Sequence, residues 1–407
     1  MGAIEVKKEL KDLRVLFPHN KDDLISTIFN TIGQYEKVIV GISFASSQLW
    51  EIQDLIFELR ENFDKKLLLC AGGPHSTGDP KGTLRMGFDM CVIGEGEETF
   101  PNILIKIKEN VDFKDTIGIA FMNEDGSYIK NKASSYIDLN DYPPFSIKYN
   151  KLGPIEITRG CPFLCYFCQT PFIFGIKSRH RSIESISKYV EISKNYGFRD
   201  IRFISPNGFL YGSLNNTVNH SLIEELLSRI RKIIGTKGRV YFGTFPSEVR
   251  PENVDEEVID LILKYANNDN LIIGAQSGSQ RILENCNRGH TVEDIYNAVK
   301  ITIKSGLKAN VDIIFGLPNE TEEDVKETLD LIDELTQLGA RIHAHTFIPL
   351  PGTPFQYKEP TRLNKNLRNR IRNLVDQELI YGHWRQQNKF GRRIMKYYAS
   401  SKRNKPS

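Results

Sequence analysis

Short runs of β-branched and aromatic residues alternate with amphipathic stretches along most of this 407-residue chain. In its first part the runs fall at Leu13–Phe17, Val38–Ile42, Leu67–Cys70 and Met90–Ile93. Between the second and third, Leu49, Ile52, Leu55, Ile56 and Leu59 recur at the i, i+3, i+4 spacing of a helix with one buried face, over Gln48–Phe63. Strands separated by helices pair in parallel and are covered on both faces, so residues 1–110 are expected to form a doubly wound α/β domain. Ligands of such sheets bind beyond the carboxyl ends of the strands. The loops there are Gly41–Ser46, Ala71–Gly78 and Gly94–Thr99. Their glycines let a ligand approach the backbone and their hydroxyls can anchor its polar groups, although any one loop alone reads as a turn.

Residues 111–150 read as a connector. Asn123–Ser127 is a turn between the runs Ile117–Met122 and Tyr128–Lys130, and Asp141-Tyr142-Pro143-Pro144 is an extended stop. The alternation resumes over 151–357, with runs at Ile155–Thr158, Asp200–Ile204, Arg239–Thr244, Leu271–Ala275, Lys308–Ile314 and Ala344–Pro349. These six units imply an open, partial (β/α)6 version of the eight-fold barrel, with its chemistry at the C-terminal ends of the strands.

Hydrophobic content of 40% and charged content of 26% are those of an ordinary soluble protein. No apolar run of about eighteen residues and no basic-then-apolar leader occurs, so neither a membrane span nor a secretory signal is expected. The formal charge of +3 is unevenly spread. Thr361–Ser407 carries 13 Lys or Arg against Asp376 and Glu378, a net of +11, which leaves −8 for the rest. Residues 358–407 are thus a basic appendage, with Tyr381, Trp384, Phe390, Tyr397 and Tyr398 among its cations. Such a mixture binds nucleic acid in some proteins. The reading favoured here is a helical extension packed on the barrel, with a solvated charged face and a disordered Lys-Pro-Ser end. An acidic protein or substrate docked on that face comes next.

Three of the six cysteines, Cys161, Cys165 and Cys168, stand as C-x3-C-x2-C directly after the run Ile155–Thr158. Thiolates are the ligands of iron–sulfur clusters, and a cubane takes four. Three from one loop leave one iron open to a small molecule. Structural zinc uses four ligands in two pairs, and no second C-x-x-C occurs. The bland alternative is a chance group of buried free thiols. Cys70, Cys91 and Cys286 are scattered, which is no disulfide framework, and a reducing, cytoplasmic compartment is expected.

The cysteine loop, with the aromatic Phe167 ahead of its third cysteine, resembles the radical S-adenosylmethionine superfamily. Gly72-Gly73-Pro74-His75 and Gly94-Glu95-Gly96-Glu97-Glu98-Thr99 resemble the cobalamin-binding domain that precedes many of its barrels. The resemblance covers residues 10–357 and implies a Rossmann-like, flavodoxin-like first domain. It also implies a 4Fe-4S cluster on Cys161, Cys165 and Cys168. S-adenosylmethionine would lie against Phe167, Asn207, Ser247, Glu248, Gln276, Arg288 and Gly316. Cobalamin would lie against Ser43, Gly72, Gly73, His75, Gly94, Glu95 and Gly96. Two departures stand out. Ser205-Pro206-Asn207-Gly208 replaces the Gly-Gly-Glu often found after the second barrel strand. The D-x-H-x-x-G of proteins that place a histidine on cobalt is also missing, since Gly73–Gly78 lacks the Asp that would orient an imidazole. No histidine ligand to cobalt is therefore expected, and His19 and His75 are expected to be polar loop contacts.

The chemistry implied is C-methylation of an unactivated sp3 carbon. An electron from the cluster cleaves S-adenosylmethionine, the 5′-deoxyadenosyl radical removes a hydrogen atom, and cobalamin supplies the methyl group. The partners implied are a flavodoxin- or ferredoxin-type electron donor and a protein or peptide substrate, with neither membrane nor nucleic acid involved. Two alternatives remain. Gln276-Ser277-Gly278-Ser279 and Arg288 also resemble tRNA methylthiotransferases, which need three N-terminal cysteines where only Cys70 and Cys91 precede the motif. The other is a non-catalytic corrinoid- or nucleic-acid-binding module, against which the intact cysteine motif stands.

Overall fold

The computed structural model describes residues 1–403, and the Lys-Pro-Ser end lies outside them. The chain forms two compact units, Met1–Ile137 with Leu350–Thr353, and Asp138–Pro349 with Pro354 onward.

In the first unit, β1 (Val38–Ser43), β2 (Leu67–Gly72) and β3 (Met90–Val92) pair in parallel in that order. Helix Leu49–Phe63 follows β1 and buries Leu49, Ile52, Ile56, Leu59 and Phe63, the face expected from the spacing. Two short helices, Gly73–Gly78 and Pro80–Arg85, follow β2, and Gly96–Lys108 follows β3. Two expectations need correction. The run Leu13–Phe17 is not a strand. Leu10, at the end of a 3-10 turn, is buried beside Ile4 and Leu104, and Leu13 packs partly buried against the same cluster, while Leu16 is exposed. That packing satisfies the apolar residues without a ladder. The hairpin assigned to a connector is β4 (Ile119–Met122) and β5 (Tyr128–Lys130), which extend this sheet antiparallel from β3. Ile119, Ala120 and Phe121 are buried there, as a strand covered by its own unit must be.

The second unit opens with β6 (Ile155–Glu156) and β7 (Thr158–Arg159), the latter paired with β8 (Arg179–His180). It continues through β9 (Asp200–Ile204), β10 (Arg239–Tyr241), β11 (Asn270–Gln276), β12 (Lys308–Phe315) and β13 (Arg341–Thr346). All pairings within the orders β10-β9-β6 and β11-β12-β13 are parallel. A parallel bridge from Val249 to Ile273 joins the two sets. Each expected run has a strand, but the first is broken into β6 and β7, and the sixth lies at Arg341–Thr346 and not Ala344–Pro349. The basic C-terminal segment contributes a further strand, β14 (Ile380–Tyr381), parallel to β13.

Side chains alternate across these strands. Val240, Phe242, Leu271, Ile273, Val311, Ile313, Ile342 and Ala344 are buried in one core with the surrounding helices. Of the alternate positions, Ile204, Tyr241, Ile272, Ile314, His343 and His345 retain exposure on the inner face of this open barrel, whereas Gln276 and Asp312 are buried. The C-terminal segment packs as favoured. Ile371, Leu374, Ile380 and Trp384 join the barrel core, while Arg385, Lys389, Arg392 and Lys396 are exposed along helix Trp384–Arg403. No helix among the described residues is long and apolar enough to cross a membrane.

Candidate active site

The cysteine loop leaves β7 through Gly160, whose φ of +87° suits glycine and whose Cβ would stand 2.4 Å from the Lys177 carbonyl. Leu164 inside the loop also has positive φ, 46°. Such backbone costs of order 1–2 kcal/mol and persists only where the surroundings impose it. They do so here. Cys161 N–H donates to Gly175 O at 3.0 Å, Tyr166 N–H to Cys286 O at 3.0 Å, and Cys168 N–H to Cys165 O at 3.0 Å. Asn287 Nδ2 donates to the carbonyls of Phe163 and Leu164 at 3.3 and 3.1 Å. Phe355 N–H donates to Tyr166 O at 3.2 Å. Cys286 thus supports the loop through its carbonyl, and burial pushes its own thiol up to about 12.

Cys165 is buried, and Cys161 and Cys168 are partly so. Burial pushes the Cys161 thiol up to about 11 and raises Cys168 as well. Iron ligation must displace those protons. Two guanidinium groups face the loop: Arg288 Nη1 lies 3.5 Å and Arg250 Nη1 3.7 Å from Cys165 Sγ. Arg250 also stacks over Phe163 at 3.6 Å, pairs with Glu252 and donates to Arg288 O. Two cations beside the sulfurs would suit an anionic thiolate cluster. Among the described residues, the one trio of His, Cys, Asp or Glu with all ligand atoms within 4.8 Å is Asp312, His343 and His345.

The other barrel positions expected around S-adenosylmethionine divide into two groups. Arg288 is buried and Nη2 donates to Gly274 O at 2.5 Å. A Cβ on Gly274 would lie 2.9 Å from Arg288 Nη2, 2.9 Å from Gln276 Nε2 and 3.1 Å from Glu248 Oε2, so this glycine lets three polar ends converge. Glu248 keeps some surface exposure, yet desolvation raises its carboxyl, which hydrogen-bonds Asp312. Phe167 packs on Leu317, Phe347 and Phe355. Gly316 N–H donates to Glu320 Oε2 at 2.7 Å, and Gly316 O accepts from Thr361 N–H at 3.0 Å. By contrast, Asn207 and Ser247 are engaged as braces. The Asn207 amide donates to Asn253 Oδ1 at 2.7 Å and accepts from Phe209 N–H at 3.3 Å. Ser247 Oγ donates to Phe203 O at 2.8 Å and accepts from Ser205 N–H at 3.0 Å. Sequence reasoning placed Arg250 and Glu320 in strand-end segments without singling them out, and passed over the histidines of β13. The period-2 spacing of His343 and His345 could have flagged the last two.

In the first unit, Gly73 has φ +88°, and its Cβ would meet Ser43 Oγ at 2.7 Å and the Phe44 backbone at 2.8 Å. Cβ atoms on Gly72 and Gly94 would meet nothing within 4 Å. These loops therefore combine tight backbone packing with open space, a cradle suited to a flat macrocycle. Gly94 N–H is fixed by Thr77 Oγ1 at 3.1 Å, and Gly96 starts the helix that follows. Glu95 is buried and accepts from Ile137 N–H at 2.9 Å, so its carboxylate braces this unit. His75 is fully buried, 2.9 Å from Ser46 Oγ, with its ring tilted 30° against Phe44 at 5.2 Å, and burial pushes it down to about 4. His19 is exposed.

The sequence profile of the Radical SAM superfamily matches residues 155–332, and that of the B12 binding domain matches residues 9–104. An uncharacterized methyltransferase of Pyrococcus horikoshii is 28% identical over 361 residues, covering 85% of this chain and 74% of its own. A tRNA-2-methylthio-N(6)-dimethylallyladenosine synthase of Clostridium botulinum is 28% identical over 295 residues, covering 71% of this chain and 60% of its own. Among solved structures, the radical S-adenosylmethionine methyltransferase TsrM of Kitasatospora setae, with cobalamin and a 4Fe-4S cluster bound, superposes with a TM-score of 0.66 at 20% identity. It covers 83% of this chain and 69% of its own. The cobalamin-dependent enzyme OxsB gives 0.60 at 20% identity, covering 77% of this chain and 45% of its own.

Proposed function

Because the chain belongs to the radical SAM superfamily and carries a B12 binding domain ahead of its barrel, we propose that it is a cobalamin-dependent methyltransferase acting on an unactivated sp3 carbon. The observation that carries this reading is the cysteine loop at the end of the first barrel strand, with Arg250 and Arg288 turned onto Cys165. When bound, the cluster supplies the electron that splits S-adenosylmethionine, and the corrinoid supplies the methyl group. The protein's own residues do the rest. Cys161, Cys165 and Cys168 hold iron, and Arg250 and Arg288 balance its charge. Glu248, Gln276 and Arg288 offer polar ends to S-adenosylmethionine, Phe167 an apolar flank, and Gly316 a backbone turn fastened by Glu320. Ser43, Gly72, Gly73 and Gly94 to Gly96 offer backbone to the corrinoid. The open inner face of the barrel excludes bulk water once filled by ligands, which keeps a reactive radical from side reactions.

A reductant is required, and a flavodoxin- or ferredoxin-type donor fits the low potential. A protein or peptide is the substrate class favoured, because helix Trp384–Arg403 leaves a solvated basic row beside the packed apolar one. The methylthiotransferase reading is disfavoured by Cys70 and Cys91, which are buried thiols raised by desolvation, Cys70 to about 12, and not loop ligands. The test is the cofactor content of anaerobically purified protein with its products under reduction. One 4Fe-4S cluster, one corrinoid and 5′-deoxyadenosine supports the proposal. Two clusters would support methylthiolation, and corrinoid without iron would support a binding module.

A further inference from the structure

His343 and His345 stand two apart on β13 and so share one face, and Asp312 of β12 is the register partner of His343. The side chains converge. Asp312 Oδ1 is 2.9 Å from His343 Nδ1, His345 Nε2 is 3.1 Å from His343 Nδ1, and His345 Nε2 is 3.8 Å from Asp312 Oδ1. Two ligands on a metal at bonds of about 2.1 Å are about 3.4 Å apart in a tetrahedron and about 3.0 Å apart in an octahedron. The observed edges straddle those values, and an ion about 2.1 Å from all three atoms would sit within about 1 Å of their plane.

Protons serve the same triangle only in part. His343 Nδ1–H can donate to Asp312 Oδ1 and, bifurcated, to His345 Nε2, which leaves the Asp312 oxygen and His345 Nε2 as facing acceptors 3.8 Å apart. A cation shared by the three lone pairs would bridge that edge as well.

The surroundings hold the trio as outer partners hold metal ligands. Tyr381 stacks on the His343 ring at 4.7 Å and 11°, and a Cβ at Gly382 would come within 2.9 Å of that ring. Glu248 hydrogen-bonds Asp312. Gln387 Nε2 lies 3.2 Å from His345 Nδ1, while its Oε1 accepts from Thr346 N–H at 2.8 Å. A metal on His345 Nε2 would place the ring proton on Nδ1, so Gln387 must turn its oxygen to the ring and release Thr346. The side chains of Asp312, His343 and His345 are 13%, 32% and 29% exposed on the open inner face, which leaves a coordination position free.

We propose that Asp312, His343 and His345 form a mononuclear site for a divalent transition-metal ion of the zinc class, with an open position for an oxygen or nitrogen donor. Two imidazoles, one carboxylate and a free position are the donor set of such sites. Through Glu248 the trio lies in one polar row with Arg288 and Cys165, so the donor would belong to the methyl acceptor. That use rests on the function proposed above, whereas metal binding does not.

The test titrates zinc ion alone into anaerobic protein carrying its cluster. The expected result is one zinc per chain beyond the cluster iron, with an X-ray absorption first shell of nitrogen and oxygen at about 2.0–2.2 Å. His345→Ala and Asp312→Asn should each lower bound zinc at least tenfold and leave the iron unchanged. Gln387→Glu, which offers Nδ1–H an acceptor without a turn, should tighten binding by roughly tenfold. Failure of the wild-type protein to bind zinc, a sulfur shell at about 2.3 Å, or retention of zinc by His345→Ala would each overturn the proposal. If zinc binds as expected while 5′-deoxyadenosine never forms, the metal site stands and the methyltransferase reading falls.

Discussion

Glu320 closes the turn after β12, is only 5% exposed, and accepts from Gly316 N–H at 2.7 Å. Desolvation pushes its carboxyl up to about 8 from an ordinary 4.5, so at neutral pH it is mainly the protonated acid that is folded in. Unfolding returns it to water as a carboxylate. For an acid raised on folding, the native chain binds the extra proton between the two pKa values, so stability is full below about pH 4.5 and falls as pH rises to about 8. Each unit is worth 1.36 kcal/mol, which over this window comes to on the order of 4 kcal/mol, a large share of a domain's stability. Glu320→Gln removes the titration and keeps a carbonyl for Gly316 N–H. The chain has two tryptophans, Trp50 in the first unit and Trp384 in the barrel core, so urea unfolding on Trp384 fluorescence in a Trp50→Phe background reports the barrel alone. Between pH 5 and 8.5 the midpoint of the parent should fall relative to Glu320→Gln by roughly 1.5 M, taking m at 2–3 kcal/mol/M. A difference that stays constant across that range would refute the buried neutral acid.

Cys165→Ala should abolish reductive release of 5′-deoxyadenosine, whereas Cys286→Ala, which leaves the supporting carbonyl in place, should keep the full iron content. Arg288→Met removes a cation 3.5 Å from a cluster sulfur, and should lower the cluster's midpoint potential by roughly 100 mV in a redox titration. No shift would mean that the guanidinium does not face the cluster. Gly73→Val forces a branched side chain onto φ +88° and against the Phe44 backbone, so corrinoid binding should be lost while the barrel keeps its iron. Corrinoid retained at wild-type affinity would remove these loops from the cofactor site. Truncation before Thr361 deletes β14 and the buried Ile371, Leu374 and Trp384, and should cost the barrel several kcal/mol, whereas truncation at Ser400 should leave the midpoint unchanged.

What could be read in the sequence follows from how local each signal is. The cysteine spacing, the six barrel runs and the one-sided helix Leu49–Phe63 are all written within a few residues, and each has its counterpart, although the first run is split into β6 and β7 and the sixth strand lies at Arg341–Thr346, three residues ahead of its expected place. The run Leu13–Phe17 misled because apolar composition does not specify pairing: Leu13 packs partly buried against the cluster of Ile4, Leu10 and Leu104 without entering a sheet. The hairpin at 119–130 was legible as a hairpin but not as a sheet edge, since its partner β3 lies some thirty residues away. Asn207 and Ser247 looked like ligand contacts because polar residues at strand ends suit both roles. Their hydrogen bonds to Asn253, Phe203 and Ser205, set by tertiary packing, show that both side chains also brace loops. The same limit hid Asp312, His343 and His345. Asp312 lies 31 residues before His343, and β12 meets β13 in a register that no local pattern encodes, so the histidine pair alone did not disclose the trio. Chemistry carried by one loop is thus open to sequence reasoning, while chemistry assembled across strands requires the register, and the inner face of this barrel is assembled in that second way.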